Sequence, residues 1–204
     1  MTSVSAPIHP RKTPRQSRSR ATCEAILQAA ARILERDGAE ALNTNQIADL
    51  AGVSIGSLYQ YYPTKEAILA ELIRQMRHEM HDDMVTAVTQ SSGQGLEREV
   101  DALISATLRH HMRNPKLAQA LEHIEDQLPM DTEIAQLKQN MARLVVDALA
   151  RYGINDPEAT AFDLVAIGHG MSHAAIAAGH QDFDNLHRRI RRAVLGYLQQ
   201  APSD

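Results

Sequence analysis

Apolar residues recur at intervals of three and four from Ser19 onward, and no segment alternates with period two. A chain patterned this way buries helix stripes against other helices, so the fold class is all-α. The first stripe is Ile26, Ala29, Ala30, Ile33 and Leu34, with Arg32, Glu35 and Arg36 opposite and Gly38 as the stop. A short helix begins at Asn43 or Thr44, either a good N-cap, and is expected to bury Ile47, Ala48, Leu50 and Ala51 before Gly52 ends it. Ser54 caps a third helix reaching Tyr62. Pro63-Thr64 stops that one, and Lys65 opens a long fourth helix in which Ile68, Leu72, Met76 and Met80 recur every four residues. Beyond Ser91-Ser92-Gly93, helices are expected at about 95–112, 115–127, 131–151, 156–179 and 183–199, punctuated by Pro115, Pro129, Gly153, Pro157 and Gly179.

The organisation follows from these breaks. Residues 1–18, basic and carrying Pro7, Pro10 and Pro14, are expected to be a disordered arm. Residues 19–64 form a three-helix headpiece, 65–90 a connecting helix, and 91–204 a larger helical domain. A length of 204 residues suffices for a real core in one or two domains.

Charge is distributed unevenly along this order. Residues 1–77 hold ten basic and seven acidic side chains, net +3, whereas residues 78–204 hold eleven and eighteen, net −7. A basic front and an acidic rear imply two different partners, with a polyanion at the front. One cysteine excludes an internal disulfide and a cysteine-based zinc cluster, which implies a reducing compartment. The basic start is not followed by the apolar core of a signal peptide. The longest stretch without Asp, Glu, Lys or Arg, Leu164–Gln181, approaches membrane-spanning length but contains His169, His173, His180 and three glycines. It reads as a helix of a cytoplasmic protein with no membrane partner.

Thr44–Lys65 is the informative segment. Two short helices joined by Ala51-Gly52-Val53-Ser54 have a helix-turn-helix layout, with glycine for the tight turn, Val53 plugging the angle and Ser54 capping the second helix. Leu58 and Tyr62, four apart, share the inward face, which leaves Ser57, Gln60 and Tyr61 outside. Gly56 removes a side chain from the first turn, where close approach of another body is a sensible reason for it. A DNA backbone or base edge would be such a body, since amides at a helix N-terminus favour phosphate.

Thr44-Asn45-Gln46-Ile47-Ala48, Ala51-Gly52-Val53-Ser54, Gly56-Ser57-Leu58-Tyr59-Gln60-Tyr61-Tyr62-Pro63 and Lys65-Glu66 together resemble the N-terminal signature of the tetracycline-repressor (TetR) family over roughly residues 19–70. The resemblance implies a homodimeric transcriptional repressor that binds a double-stranded, palindromic operator and releases it when a small-molecule effector enters the C-terminal domain. By that resemblance Thr44, Tyr59 and Lys65 would touch phosphates, while Gly56, Ser57, Gln60 and Tyr61 would face the major groove beside Ser54. Ile47, Ala48, Val53, Leu58 and Tyr62 would be the headpiece core. Ile55 departs from the family pattern, in which a basic residue is common. A thymine-methyl contact could take its place, and the Arg-rich arm at residues 11–20, with Arg11, Lys12, Arg15 and Arg18, could replace the lost charge through phosphate or minor-groove contacts.

The rear domain is less specific. By the same resemblance its earlier helices would enclose an effector pocket, with Leu103, Leu108, His111, Met112, Met141 and Leu144 as candidate lining. The last two helices would pair with their copies. Gly168, Ser172, Ala175 and Gly179 form a small-residue stripe, and Leu186, Ile190 and Tyr197 supply bulk, so these are the candidate dimer contacts; core packing within one subunit would leave the same pattern. His169 and His173 have the spacing at which two imidazoles can share a metal, but packing and hydrogen bonding account for them as well, and neither a metal nor a cofactor is assigned. Asp101, Glu122, Glu125 and Asp126 read as a solvated acidic face. No nucleophile–base pair, metal triad or phosphate loop is visible, so the chain is not expected to be an enzyme. The alternative is a DNA-binding regulator controlled by a protein partner or by a metal ion.

Overall fold

The structure, a computed structural model, describes residues 8–11, 16–129 and 131–200. The described residues form nine α-helices and one short 3-10 turn, with no strand among them. The helices are α1 (Ser17–Asp37), α2 (Thr44–Ala51), α3 (Ile55–Tyr61), α4 (Lys65–Ser91), α5 (Leu96–Arg113), α6 (Pro115–Glu125), α7 (Thr132–Arg151), α8 (Pro157–Ala177) and α9 (Phe183–Gln200), with the 3-10 turn at Ala39–Ala41.

Local chemistry sets the helix ends. Asn43, not Thr44, caps α2, its side chain accepting the Gln46 amide at 2.9 Å. Gly52 then adopts the left-handed conformation (φ 68°), and the Val53 amide reaches back to the Ala48 carbonyl at 3.0 Å, a Schellman closure. Thr64 Oγ1 accepts the Ala67 amide at the start of α4, and Asp156 accepts the Ala159 amide ahead of Pro157 in α8.

Two compact units are present, and their boundary differs from the one expected at residue 91. The first unit ends at Met76 and also takes in Lys116–Ile134; the second comprises Arg77–Pro115 and the chain from Ala135 on. Helix α4 therefore contributes to both, and α6 belongs with the headpiece. The reason is its apolar face: Leu121 and Ile124, with Ile134 at the start of α7, join the core built by α1–α4. That core holds the expected α1 stripe together with Ile47, Ala48, Leu58, Tyr62, Ile68, Leu72 and Met76.

Two expectations for the first unit are corrected. Leu50 is 45% exposed, because the buried side of α2 runs through Ile47, Ala48 and Ala51 and Leu50 lies about a third of a turn away from it. Residues 1–7 and 12–15 of the expected arm lie outside the described residues, but residues 8–11 and 16–18 are ordered against or within the first unit. Ile8 is buried, residues 8–11 lie against the headpiece, and α1 already begins at Ser17. Lys12 and Arg15 fall outside the described residues.

The second unit packs α5, α7, α8 and α9 around Val100, Leu103, Ile104, Leu108, Met141, Leu149, Leu164, Leu186, Ile190 and Val194. Glu99 is fully buried and pairs with Arg151. Asp101 is not simply a solvated acid, since it sits 3.2 Å from Arg191 Nε and 3.4 Å from His187 Nε2. Among the described residues no helix is long and apolar enough to cross a membrane.

Candidate nucleic-acid interface

The recognition segment is two-sided. On its inner side Leu58 is fully buried and Tyr62 nearly so, and burial pushes the Tyr62 phenol well above its ordinary pKa. Ser54 Oγ accepts the Ser57 amide at 3.1 Å and lies 2.8 Å from Ser57 Oγ, so the cap and the first turn of α3 are held together. Ile55, Gly56, Tyr59 and Gln60 face outward, Ser57 lies at the margin, and Lys65 is exposed at the first residue of α4.

Each predicted contact has a definite place. Thr44 Oγ1 and Tyr59 Oη are 3.0 Å apart, which ties the start of α2 to the outer face of α3. A Cβ built on Gly56 would meet nothing nearer than Ser54 Oγ at 3.9 Å, and its backbone is ordinary helix. Neither packing within the subunit nor backbone strain accounts for this glycine. Tyr61 is the exception to the outward set, being half-buried with its ring against the headpiece core. Val53 is likewise partly buried there, as the expected plug between α2 and α3. Arg18 is exposed on the first turn of α1.

One cation of the expected Arg-rich arm, Arg11, lies at this face. The Arg11 amide donates to the Tyr61 carbonyl at 2.7 Å, and its guanidinium Nη1 to the Tyr59 carbonyl at 3.4 Å. These carbonyls end α3, where no further helical amide can reach them. A prolyl residue just ahead, Pro10, was the only local hint that this stretch is extended rather than mobile.

Two family models match the chain in succession. Residues 26–72 match the family model described as bacterial regulatory proteins, tetR family, and residues 95–198 match the one described as tetracyclin repressor-like, C-terminal domain. The chain belongs to the TetR family. It is a DNA-binding transcriptional regulator of that family, which is one of regulators and not of enzymes. It is 28% identical over 182 residues to the HTH-type transcriptional regulator BetI of Rhizobium meliloti, covering 81% of this chain and 89% of that protein. Among solved structures, a protein from Rhodococcus sp. RHA1 superposes with a TM-score of 0.73 at 20% identity over 88% of this chain and 95% of its own. The TetR-like regulator LfrR of Mycobacterium smegmatis, solved in complex with proflavine, does so with 0.62 at 18% over 90% and 98%. At these identities the likeness shows the fold.

The TetR-like C-terminal residues are distributed differently from the expectation. Leu103, Leu108, His111 and Met141 are buried and Leu144 partly so, but Met112 is 52% exposed. It follows His111 by one residue, and a step of about 100° carries it off the buried face. The expected dimer contacts also divide. Leu186 and Ile190 belong to the core of the subunit itself, Ala175 packs in the same cluster, and Ser172 is buried with its hydroxyl on the Gly168 carbonyl at 2.8 Å. Gly179 is exposed just past the end of α8, and Tyr197 is exposed and donates its hydroxyl proton to Asp163. What α8 leaves uncovered is a different stripe: Phe162, Val165, Ala166, Gly170, Ala174 and Ala177, with His169 and His173 stacked between them at a ring-centroid distance of 6.2 Å. Phe162 is 74% exposed.

Proposed function

We propose that this TetR-family regulator is a repressor that binds a palindromic operator as a homodimer and leaves it when a small molecule occupies its C-terminal unit. The two-sided α3 is the observation that carries the reading: Leu58 and Tyr62 anchor it, and Gly56, Tyr59 and Gln60 are left for DNA. Thr44, Tyr59 and Lys65 take phosphates, while Ile55, Gly56, Ser57 and Gln60 approach base edges, with Ile55 against a thymine methyl. Tyr61, half-buried, contributes the edge of its ring. Gene regulation of this kind places the protein in the cytoplasm.

The uncharged α8 stripe supports the dimer. Its bulky end, Phe162 and Val165, and its small end, Ala174 and Ala177, are complementary to each other about a midpoint near His169, which suits an antiparallel match with a second copy. The buried apolar side chains Leu103, Leu108 and Met141, with the partly buried Leu144, support an apolar or aromatic effector, as does the proflavine complex of the structurally similar LfrR. Such an effector acts by binding the DNA-incompetent state better than the competent one. The test is to select duplexes from a random-sequence pool with the purified protein, then screen aromatic and aliphatic compounds for release. Selection of a palindrome and its release by a compound that also raises Tm are expected. Binding without sequence preference, or release only by another protein, would overturn the reading.

A further inference from the structure

Residues 8–11 belong to no helix, yet they are tied down at both ends. At one end is Arg74 of α4, whose side chain is buried. Its Nη2 donates to the Ile8 carbonyl at 2.7 Å and lies 3.3 Å from His9 Nδ1. Its Nε donates to Asp131 Oδ2 at 3.0 Å, and its Nη1 pairs with Glu71. Asp131 in turn accepts the amides of Glu133 and Ile134 through Oδ1, at 2.9 and 3.2 Å, and so caps α7. At the other end Arg11 lies against the last carbonyls of α3.

The arrangement places a cation where the DNA-reading helix lacks one. None of the seven residues of α3, Ile55–Tyr61, carries a charge, and Arg11 arrives at the C-terminal end of this helix. Its side chain is exposed, and among the described residues one contact engages its guanidinium, the Tyr59 carbonyl. Five N–H donors make up that group, so most remain for a second acceptor. Tyr59 thus meets the guanidinium through its carbonyl and Thr44 through its hydroxyl.

We propose that Ile8–Arg11 is a clip that delivers Arg11 to a backbone phosphate of the operator, and that Arg74 is the positioning residue that holds the clip. The proposal rests on the reading of α3 as the DNA-reading helix. Arg74 touches no DNA, because it is buried; it acts by fixing the Ile8 carbonyl, and hence where the chain emerges at Arg11. One guanidinium serves both the clip and the cap of α7, so the fork geometry matters and not the charge alone.

Operator affinity measured against salt concentration tests this, using the full chain and a labelled duplex that the wild-type protein selects from a random-sequence pool. Arg11→Gln is expected to flatten the slope of log K against log salt by about 1 for each subunit bound, with Tm unchanged. Arg74→Lys keeps the buried charge but not the fork, and is expected to flatten the slope equally; the double variant flattens it no further. Ile8→Ser loosens the clip without touching the ion pairs and is expected to do the same, which keeps the proposal open to test if Arg74→Lys does not fold. Unchanged slopes, or slopes that add in the double variant, overturn it. So does an Arg11→Gln variant that loses Tm at constant slope, since that residue would only cap α3. A wild-type chain that selects no duplex would overturn the reading of α3 itself, a result distinct from all of these.

Discussion

Thr44 Oγ1 and Tyr59 Oη, fifteen residues apart in the chain, meet at 3.0 Å on the exposed side of the headpiece. Two hydroxyls so placed can turn together onto one phosphate oxygen. Tyr59→Phe is expected to weaken binding by about 1 kcal/mol on every duplex sequence alike, with stability moved by no more than about 0.5 kcal/mol. Adding Thr44→Val should cost less than the sum of the two single changes, because one phosphate serves both. A double-mutant cycle by fluorescence anisotropy measures this, and a loss confined to one base pair would contradict it.

Gly56→Leu separates folding from recognition. The space around Gly56 is open and its backbone unstrained, so a better helix former should leave Tm unchanged or raise stability by roughly 0.5–1 kcal/mol. Operator binding should be abolished by the bulk between α3 and the groove. A fall in Tm would show that the glycine serves the headpiece instead.

Gln60 carries the sole outward amide of α3. Gln60→Ala is expected to cost about 1–3 kcal/mol at one base pair of each half-site and to relax the preference there. Binding to a set of single-base operator variants reads this directly, and a uniform loss would reassign Gln60 to the backbone.

Asp131 predicts an acid dependence. Burial acts to raise its carboxyl, but the Ile134 amide and the Arg74 guanidinium outweigh it, and its pKa lies below the ordinary value. A group lowered in the folded state contributes stability above its unfolded pKa, about 3.9, and loses it as pH falls through the folded value. Asp131→Asn should therefore destabilise the protein at neutral pH, on the order of 3 kcal/mol, and the gap to wild type should close on acidification below about pH 4. Denaturant unfolding at stepped pH decides it; a gap constant down the acid limb would assign the effect to shape.

The two kinds of apolar residue on α8 and α9 should fail differently. Ile190→Ala opens a cavity in the core of a single subunit and is expected to cost about 2–5 kcal/mol of folding stability. Phe162→Glu should leave a folded subunit and lower the sedimentation coefficient to that of a monomer. A Phe162→Glu protein that remains dimeric would remove the α8 stripe from the interface.

What the sequence disclosed and what it withheld divide by range. Asn43, Gly52 and Ser54 act on neighbours within five residues, so their roles as caps and turn were legible from spacing. The buried stripes of α1 and of the second unit were legible for the same reason. Leu50 was misassigned because apolar character was weighed without its angle on the helix. Leu186 and Ile190 were assigned to a partner because periodicity marks a buried side but not what buries it. Arg74 lies 66 residues from Ile8 and 57 from Asp131, and no local pattern links residues so far apart.

Helix α3 has only seven residues, while an isolated helix in water needs roughly 12–15 to be even marginal. The surface proposed to read the operator therefore has no existence apart from the packing of Leu58 and Tyr62 beneath it. In genetic terms, if the proposed repressor reading holds, the target for losing repression is far larger than the contact surface. A screen for derepressed colonies should return substitutions at Ile26, Ile33, Ile47 and Ile68 more often than at Gln60, and those alleles should be temperature-sensitive where the Gln60 alleles are not.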